Sequence, residues 1–265
     1  IMGNSGSGKS YCLYDTVVRE AIENPDKNYL VIVPEQFTMQ TQKDLCLAHP
    51  KGGIMNIDVL SFGRLAYRVF EEVGQDARVV LDDEGKNLVL RKIAGECEKD
   101  LKVFKGNLKK QGYISEVKSV LSEFAQYGVD FERLDDFMKE VPPESYLHYK
   151  LDDIRTIYEK FEEYLSEKYI TKEEMLDVLS DAVPYSDILK GSVVAMDGFT
   201  GFTPVQNRLI GELFSVCEKV MITVTMDGRE NPYVYEHPYQ IFALGKQMVT
   251  SLMKIAGEKK TEIEE

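Results

Sequence analysis

The sequence predicts an α/β fold in which a parallel sheet is interrupted by a large helical insertion. Two short apolar runs, residues 29–33 (YLVIV) and 192–196 (SVVAM), are typical of strands that are buried on both faces of a parallel sheet. Between residues 82 and 186 the apolar pattern has helical periodicity only. Because strands and helices alternate on both sides of this region, we expect one sheet rather than two successive domains.

The chain before the insertion is predicted to alternate between strands and helices. Pro34 ends the first apolar run, and Pro25 with Asp26 closes the helix that precedes it. The predicted elements are a strand end at 1–2, a helix at 9–23, a strand at 29–33, a helix at 38–47, a strand at 55–60 and a helix at 62–73.

Within the insertion, the clearest predicted helix covers residues 144–169, where apolar residues recur at steps of four and three. The next helix begins with a capping box formed by Thr171 and Glu174. These apolar stripes are interpreted as helix-packing core.

Strands and helices return after the insertion. Thr203 is predicted to cap a helix, with Pro204 in its first turn and Gln206 completing the capping box. A strand at 220–224 follows. The predicted domains are therefore residues 1–81 together with 187–265, interrupted by the insertion at 82–186.

The net charge of −13 argues against a free-standing nucleic-acid-binding protein, because such domains carry positive charge that neutralises phosphates. Any contact with DNA is expected to be local or to be completed by a partner. One basic stretch contains five lysines against one acid, Glu116, and a solvated helix face is the simpler interpretation of it. The five are Lys102, Lys105, Lys109, Lys110 and Lys118.

The cysteines indicate a reduced, cytoplasmic protein. Cys12, Cys46, Cys97 and Cys217 are scattered and lack the spacing of a metal site or a disulfide framework. The sequence contains no apolar run of about 18 residues, so no membrane span is expected. It also opens without the basic segment of a signal peptide.

A phosphate-binding loop is predicted where the first strand ends and the first helix begins. The pattern G-x-x-x-x-G-K-[ST] is matched at every position by Gly3, Asn4, Ser5, Gly6, Ser7, Gly8, Lys9 and Ser10. Glycines let consecutive backbone N–H groups turn towards a phosphate, and the start of the helix adds its positive dipole. Lys9 is expected at the β- and γ-phosphates and Ser10 at Mg²⁺. ATP and Mg²⁺ are therefore the predicted ligands.

A second motif is predicted to complete the magnesium site. Residues 193–196 form an apolar strand, and Asp197 follows at its end, where nucleotide hydrolases place an acidic residue beside Mg²⁺. Active helicases carry a glutamate next, which deprotonates the attacking water, and Gly198 stands at that position here. General-base assistance contributes roughly 10²–10⁴ in rate. The sequence thus predicts nucleotide binding with slow hydrolysis.

Residues 196–206 (MDGFTGFTPVQ) resemble a degraded form of the D-E-x-Q-D-x-x-x-x-Q motif of UvrD-type superfamily 1 helicases. Asp197 and Gln206 are retained, whereas Gly198, Thr200 and Gly201 replace the Glu, Gln and Asp of the motif. A large helical insertion in the first motor domain is also a feature of that superfamily.

One branch of the superfamily combines these features: the AddB family, which supplies one of the two chains of the AddAB (RexAB) helicase–nucleases. The chain resembles this family in GNSGSGKS (3–10), VIVPEQFTMQTQ (31–42), VLSFGRLAYRVF (59–70) and MDGFTGFTPVQ (196–206). The resemblance covers essentially the whole chain, and the chain corresponds to the N-terminal part of a longer subunit.

The resemblance implies a P-loop helicase fold that no longer drives unwinding. It also implies a role in double-strand-break repair, in which an AddA partner and this subunit resect DNA ends until a Chi-type recombination sequence is met. The family carries a nuclease domain with an iron–sulfur cluster towards its C-terminus. That cluster is expected only outside these residues, because the four cysteines here lack suitable spacing.

Contacts with single-stranded DNA are expected by analogy with superfamily 1 motors, in loops that follow the sheet strands. The candidates are Gln36, Phe37 and Thr38 after one strand, and Ser61 and Phe62 after the next. Either phenylalanine is a candidate to stack on a base. The alternative is that both rings pack against helices.

Two other functional hypotheses remain open at this stage. A self-contained P-loop kinase would use the insertion as a lid, but the arginines of the insertion are scattered rather than clustered. A non-catalytic interaction scaffold would retain the phosphate loop as a vestige. Helicases also carry a nucleotide-sensing D-x-x-Q after the last strand of this region, and Asp227-Gly228-Arg229-Glu230 lacks the glutamine.

Overall fold

The computed structural model describes residues 1–74, 78–108, 110–166 and 168–264. The chain forms two compact units. Unit 1 comprises Ile1–Gln75 and Leu176–Glu265, and unit 2 comprises Asp76–Met175. The sequence predicted boundaries after residues 81 and 186. The two divisions in the structure fall after residues 75 and 175, which is earlier in the chain.

The elements are numbered in chain order. The strands are β1 (Met2–Gly3), β2 (Tyr29–Ile32), β3 (Ile57–Leu60), β4 (Val79–Leu81), β5 (Tyr169–Thr171), β6 (Val193–Met196), β7 (Lys219–Ile222) and β8 (Val224–Thr225). The helices are α1 (Lys9–Glu23), α2 (Thr38–Ala48), α3 (Phe62–Val73), α4 (Asp83–Cys97), α5 (Gln111–Tyr127), α6 (Phe131–Glu140), α7 (Tyr146–Leu165), α8 (Lys172–Ala182), α9 (Pro204–Val216) and α10 (Ala243–Lys259). None of the described helices is both long and apolar enough to cross a bilayer.

The strands of unit 1 run parallel to one another. Four of them follow the order β3-β2-β6-β7, and β8 pairs with β1. The N–H of Thr223 donates to Met196 at the end of β6, whereas the N–H of Val224 donates to Ile1 beside β1. Neighbouring residues of a strand point their backbone groups to opposite sides, so β7 and β8 together separate β6 from β1. The carboxyl ends of β1 and β6 therefore lie at the same edge of the sheet, about 10 Å apart by the usual strand spacing.

This architecture confirms the predicted α/β fold with parallel strands. β2 and β6 are buried at every position, as their continuous apolar runs predict. The helices α2 and α3 begin at the predicted residues Thr38 and Phe62. The predicted capping box of α9 is present, with reciprocal hydrogen bonds between Thr203 and Gln206. Local sequence patterns therefore determine the elements of unit 1 that lead to the carboxyl edge of the sheet.

The prediction that residues 82–186 contain only helices was wrong at one place. Residues 169–171 form β5, which pairs in parallel with β4, and α7 ends at Leu165 rather than at 169. A three-residue strand is too short to show alternation, and its apolar residues extend the pattern of the preceding helix. No sequence pattern predicted α10, which follows a long segment without regular structure.

The basic stretch does not form one continuous helix face, because residues 102–108 precede α5. The ammonium of Lys102 lies 2.9 Å from Asp152, and that of Lys118 lies 3.6 Å from Asp83. Lys109 lies outside the described residues. Part of the local positive charge is thus neutralised within unit 2.

Unit 2 packs α4, α5 and α7 around an apolar core, and a buried carboxylate organises the segment before α5. Asp153 on α7 is 1% exposed. It accepts the backbone N–H groups of Lys102, Val103 and Phe104 at 2.8, 2.7 and 2.8 Å. Because this turn has no regular secondary structure, the single side chain supplies the acceptors for two part-buried N–H groups and one buried N–H group.

Replacing Asp153 by Asn is expected to lower the free energy of unfolding by about 2–4 kcal/mol, because an amide cannot accept from all three donors. Chemical denaturation followed by circular dichroism measures this. The neighbouring Asp152→Asn is the matched control, since Asp152 forms a half-exposed ion pair and its loss should cost about 1 kcal/mol or less. Equal effects of the two variants would contradict the role given to Asp153.

The carboxyl of Glu162 on α7 should make unit 2 sensitive to pH. Burial, followed by the negative charge of Glu174, raises the pKa of Glu162 from 4.5 to about 7. The folded chain therefore holds this proton more tightly than the unfolded chain. The resulting stabilisation is complete below pH 4.5 and is lost as the pH rises through 7. Glu162→Gln should remain more stable than the unchanged protein at about pH 8 and lose that advantage towards about pH 5. The exposed neighbour variant Glu163→Gln should show no such crossover in thermal melts.

Candidate functional site

The segment from β1 to α1 adopts a turn that only glycine tolerates at several positions. Gly6 and Gly8 have φ values of +74° and +87°, in the region that side chains disfavour. A Cβ on Gly3 would lie 2.6 Å from the Oγ of Ser7, so the turn closes tightly on its own first residue. The glycine spacing of the predicted phosphate loop is thus a requirement of this backbone.

The start of α1 is open to an anion. Gly8 occupies the N-cap position, no side chain caps the first turn, and that turn contains no acidic residue. Unpaired N–H groups and the helix dipole attract negative charge at such a terminus. Lys9 directs its ammonium to the carbonyl of Asn4 at 2.7 Å, over the exposed loop. The donors, the single cation and the exposure together fit a polyphosphate, and Ser10 is exposed beside them.

Asp197 lies at the same edge of the sheet, directly after β6, and is 7% exposed. Its N–H donates to Ile32 at the end of β2. Its Oδ2 accepts the hydroxyl of Tyr14 at 2.8 Å, and its Oδ1 accepts the hydroxyl of Thr223 at 2.5 Å. Because Tyr14 belongs to α1, the structure brings Asp197 and the phosphate-loop helix together.

Three residues of this cluster were not predicted: Tyr14, Thr41 and Thr223. Thr223 had a signal in the sequence, since it is a hydroxyl residue inside an otherwise apolar strand. Tyr14 also had one, because it lies one helical turn after Ser10 and on the same face. Thr41 contacts the Tyr14 hydroxyl at 3.3 Å from α2, and no sequence spacing connects these two residues.

Gly198 has a conformational role in addition to lacking a side chain. Its φ is +79°, and a Cβ there would lie 3.6 Å from Pro34 and 3.7 Å from Phe37. The space is therefore sufficient for a side chain, but the backbone conformation is unfavourable for one. A glutamate at this position would strain the turn that follows Asp197.

Two phenylalanines after Gly198 pack against α3. The rings of Phe199 and Phe202 lie 5.4 and 6.4 Å from that of Phe62, centroid to centroid. The Oε1 of Gln206 accepts the N–H of Thr203 at 3.0 Å. Gln206 therefore caps α9. The turn after Asp197 leads into a cluster of three phenylalanines and not into polar groups that face the loop 3–10.

The five candidate DNA contacts divide into buried and exposed residues. Phe62 and Ser61 are 8% and 5% exposed, and the Ser61 hydroxyl caps α3. Thr38 is 4% exposed and donates to Glu35. Gln36 is exposed, and Phe37 is 47% exposed in the 3-10 turn Glu35–Phe37. The packing alternative therefore describes Phe62, and Phe37 is the ring that is accessible to a base.

The segment after β8 contains ion pairs in place of the sensing glutamine. Arg229 hydrogen-bonds to Asp227 and lowers the pKa of that carboxyl to about 2. Glu230 pairs at 2.6 Å with Lys246, which is 5% exposed on α10. Both acidic side chains are therefore occupied by cations of the chain itself.

Introducing Gly198→Glu is expected to lower the free energy of unfolding by about 1–2 kcal/mol, the cost of a left-handed conformation with a side chain. It should not increase phosphate release from ATP, because the turn does not hold a side chain in its usual backbone conformation. Denaturation and a phosphate-release assay measure the two effects. Gly201→Glu is the control, since Gly201 has an ordinary φ and open space around it. A stable variant with clearly faster ATP hydrolysis would contradict this account.

Comparison with known proteins gives a consistent result along the chain. The family model described as ADDB, N-terminal, matches residues 1–265. A relative from Lachnoclostridium phytofermentans, named as the B subunit of an ATP-dependent helicase/deoxyribonuclease, is 45% identical over 99% of this chain and 23% of its own length. Relatives of the same name from Alkaliphilus metalliredigens and Thermoanaerobacter pseudethanolicus are 36% and 35% identical over 86% and 100% of the chain. The match covers 20% of the Alkaliphilus relative and 23% of the Thermoanaerobacter relative. The chain therefore spans about a quarter or less of the length of each of these relatives.

Proposed function

The chain belongs to the family of AddB N-terminal regions, and from this membership we propose that it is the ATP-binding, helicase-like module of an AddB-type subunit of an ATP-dependent helicase/deoxyribonuclease. The whole subunit would act with an AddA-type partner on double-strand ends and single strands of DNA, in recombinational repair that includes Chi recognition. The site residues proposed for nucleotide are those of the loop 3–10, and those proposed for Mg²⁺ are Ser10 and Asp197.

The observation that carries the proposal is the uncapped start of α1 beneath a glycine turn, with Lys9 above it. A loop kept only for packing would not need a lysine directed over its exposed backbone and an open helix terminus. Asp197 is placed at the same sheet edge and is hydrogen-bonded to α1. This arrangement supports a P-loop helicase core in which phosphate and metal ligands converge.

Slow hydrolysis is part of the proposal. The position that follows Asp197 has no carboxylate, and the next ring, Phe199, packs against Phe62. No group in this turn replaces the missing base, so the module binds ATP without efficient turnover. The role of nucleotide is then to hold a conformation rather than to drive translocation.

DNA contact is proposed for Gln36 and Phe37, the two exposed members of the candidate set. The net charge of −13 opposes tight binding of DNA by this chain alone. We therefore expect the partner subunit, or further parts of the polypeptide, to supply most contacts with phosphates. Stacking of a base on Phe37 would fix the position of the DNA strand, and this contact does not require positive charge on the protein.

Calorimetric titration with Mg²⁺ and ATP tests the proposal. The unchanged protein should bind, and Lys9→Ala should weaken binding by about tenfold to a hundredfold, because a charge-assisted contact contributes about 1.5–3 kcal/mol. The exposed Lys51→Ala in the same unit is the control and should bind as the unchanged protein does. Phosphate release measured in parallel should be negligible. Absence of binding in the intact polypeptide would support the scaffold hypothesis instead, and rapid turnover would overturn the argument from Gly198.

A further inference from the structure

The hydroxyl of Tyr14 lies where three elements of unit 1 meet. It donates to the Oδ2 of Asp197 at 2.8 Å, and it lies 3.3 Å from the hydroxyl of Thr41 on α2. A carboxylate only accepts hydrogen bonds, so the single hydrogen of Tyr14 is directed to Asp197. Thr41 is then the donor in the other contact. The result is a directed chain from Thr41 through Tyr14 to Asp197.

This chain is largely protected from water. Asp197, Thr41 and Thr223 are 7%, 4% and 4% exposed. The side chain of Tyr14 is half-buried beside them.

The position of Tyr14 on α1 places its contact with Asp197 on the side of the helix that carries Ser10. Tyr14 follows Ser10 by four residues, so the two side chains lie on the same face of the helix, one turn apart. With Thr223 on its other oxygen, the carboxylate of Asp197 cannot rotate freely. Each of its oxygens still has a lone pair for a further donor, such as a metal-bound water.

We propose that Tyr14 is a positioning residue for Mg²⁺: its hydroxyl fixes the Asp197 carboxylate relative to the first turn of α1, so that Asp197 and Ser10 act on the same ion. This rests on the proposed function as a nucleotide-binding module. The phosphate loop attracts the nucleotide through Lys9 and the open helix terminus, and neither involves Tyr14. Tyr14 therefore affects the part of the affinity that depends on Mg²⁺ and leaves the remaining part unchanged.

The test measures the dissociation constant of ATP for the intact chain with Mg²⁺ and with EDTA. Tyr14→Phe should weaken the binding of ATP in Mg²⁺ by about tenfold, the effect of one hydrogen bond to a charged group. Binding in EDTA should stay the same, so the ratio of the affinity in Mg²⁺ to the affinity in EDTA falls by the same factor. Tyr11→Phe is the matched control, because Tyr11 lies on the same helix and is 75% exposed. It should leave both affinities unchanged.

Thr223→Val provides a second variant if Tyr14→Phe folds poorly. It removes the other donor to Asp197 and should also reduce the Mg²⁺-dependent ratio. Thermal melts report stability separately. A lower melting temperature with an unchanged ratio in both variants would overturn the assignment and leave a purely structural hydrogen bond. Equal binding of ATP by the unchanged protein with and without Mg²⁺ would also overturn it. If the unchanged protein binds no nucleotide in either condition, the proposed function itself fails.

Discussion

The arrangement of the site depends on one buried carboxylate at the end of β6. Asp197 receives hydroxyl donors from α1 and from the junction of β7 and β8, and its own N–H donates to the end of β2. A buried charge without such donors would cost several kcal/mol. The hydrogen bonds therefore stabilise the charge and, at the same time, tie the phosphate-loop helix to the centre of the sheet. The shape of the loop itself is set by Gly6 and Gly8, whose φ values are +74° and +87°.

On the proposed function, the same carboxylate makes nucleotide binding separable from nucleotide hydrolysis. The proposed binding would use backbone donors, Lys9 and the carboxylate of Asp197, all of which are present at this edge of the sheet. Hydrolysis by the mechanism of active helicases would need one more side chain, at Gly198, where the backbone has a φ of +79°. The chain uses this glycine turn to direct Phe199 and Phe202 towards Phe62. The turn is thus part of the packing, so the proposed lack of a catalytic base would involve the backbone conformation as well as a side chain.

The sequence predicted those parts of the fold and site that depend on local patterns. β2, β6, α3 and the start of α9 follow from apolar runs and capping residues, and the glycine positions of the loop follow from one motif. Contacts between distant segments left no such pattern. The pairing of Tyr14 with Thr41 depends on how α1 packs against α2, and the burial of Phe62 depends on the path of the turn after Asp197. The short strands β4 and β5 were missed because three residues give no periodicity to detect.

The charge distribution limits how such a module meets DNA. Its lysines are partly neutralised by its own acids, as Lys102 is by Asp152 and Lys246 by Glu230. These ion pairs reduce the positive potential around the two lysines. With a net charge of −13, the chain is expected to attract a polyanion only weakly at long range. Stacking of a base on the exposed Phe37, as proposed, would require a DNA strand that is already held nearby. A chain with a net charge of −13, whose lysines pair with its own acids, is therefore poorly suited to hold DNA by charge alone.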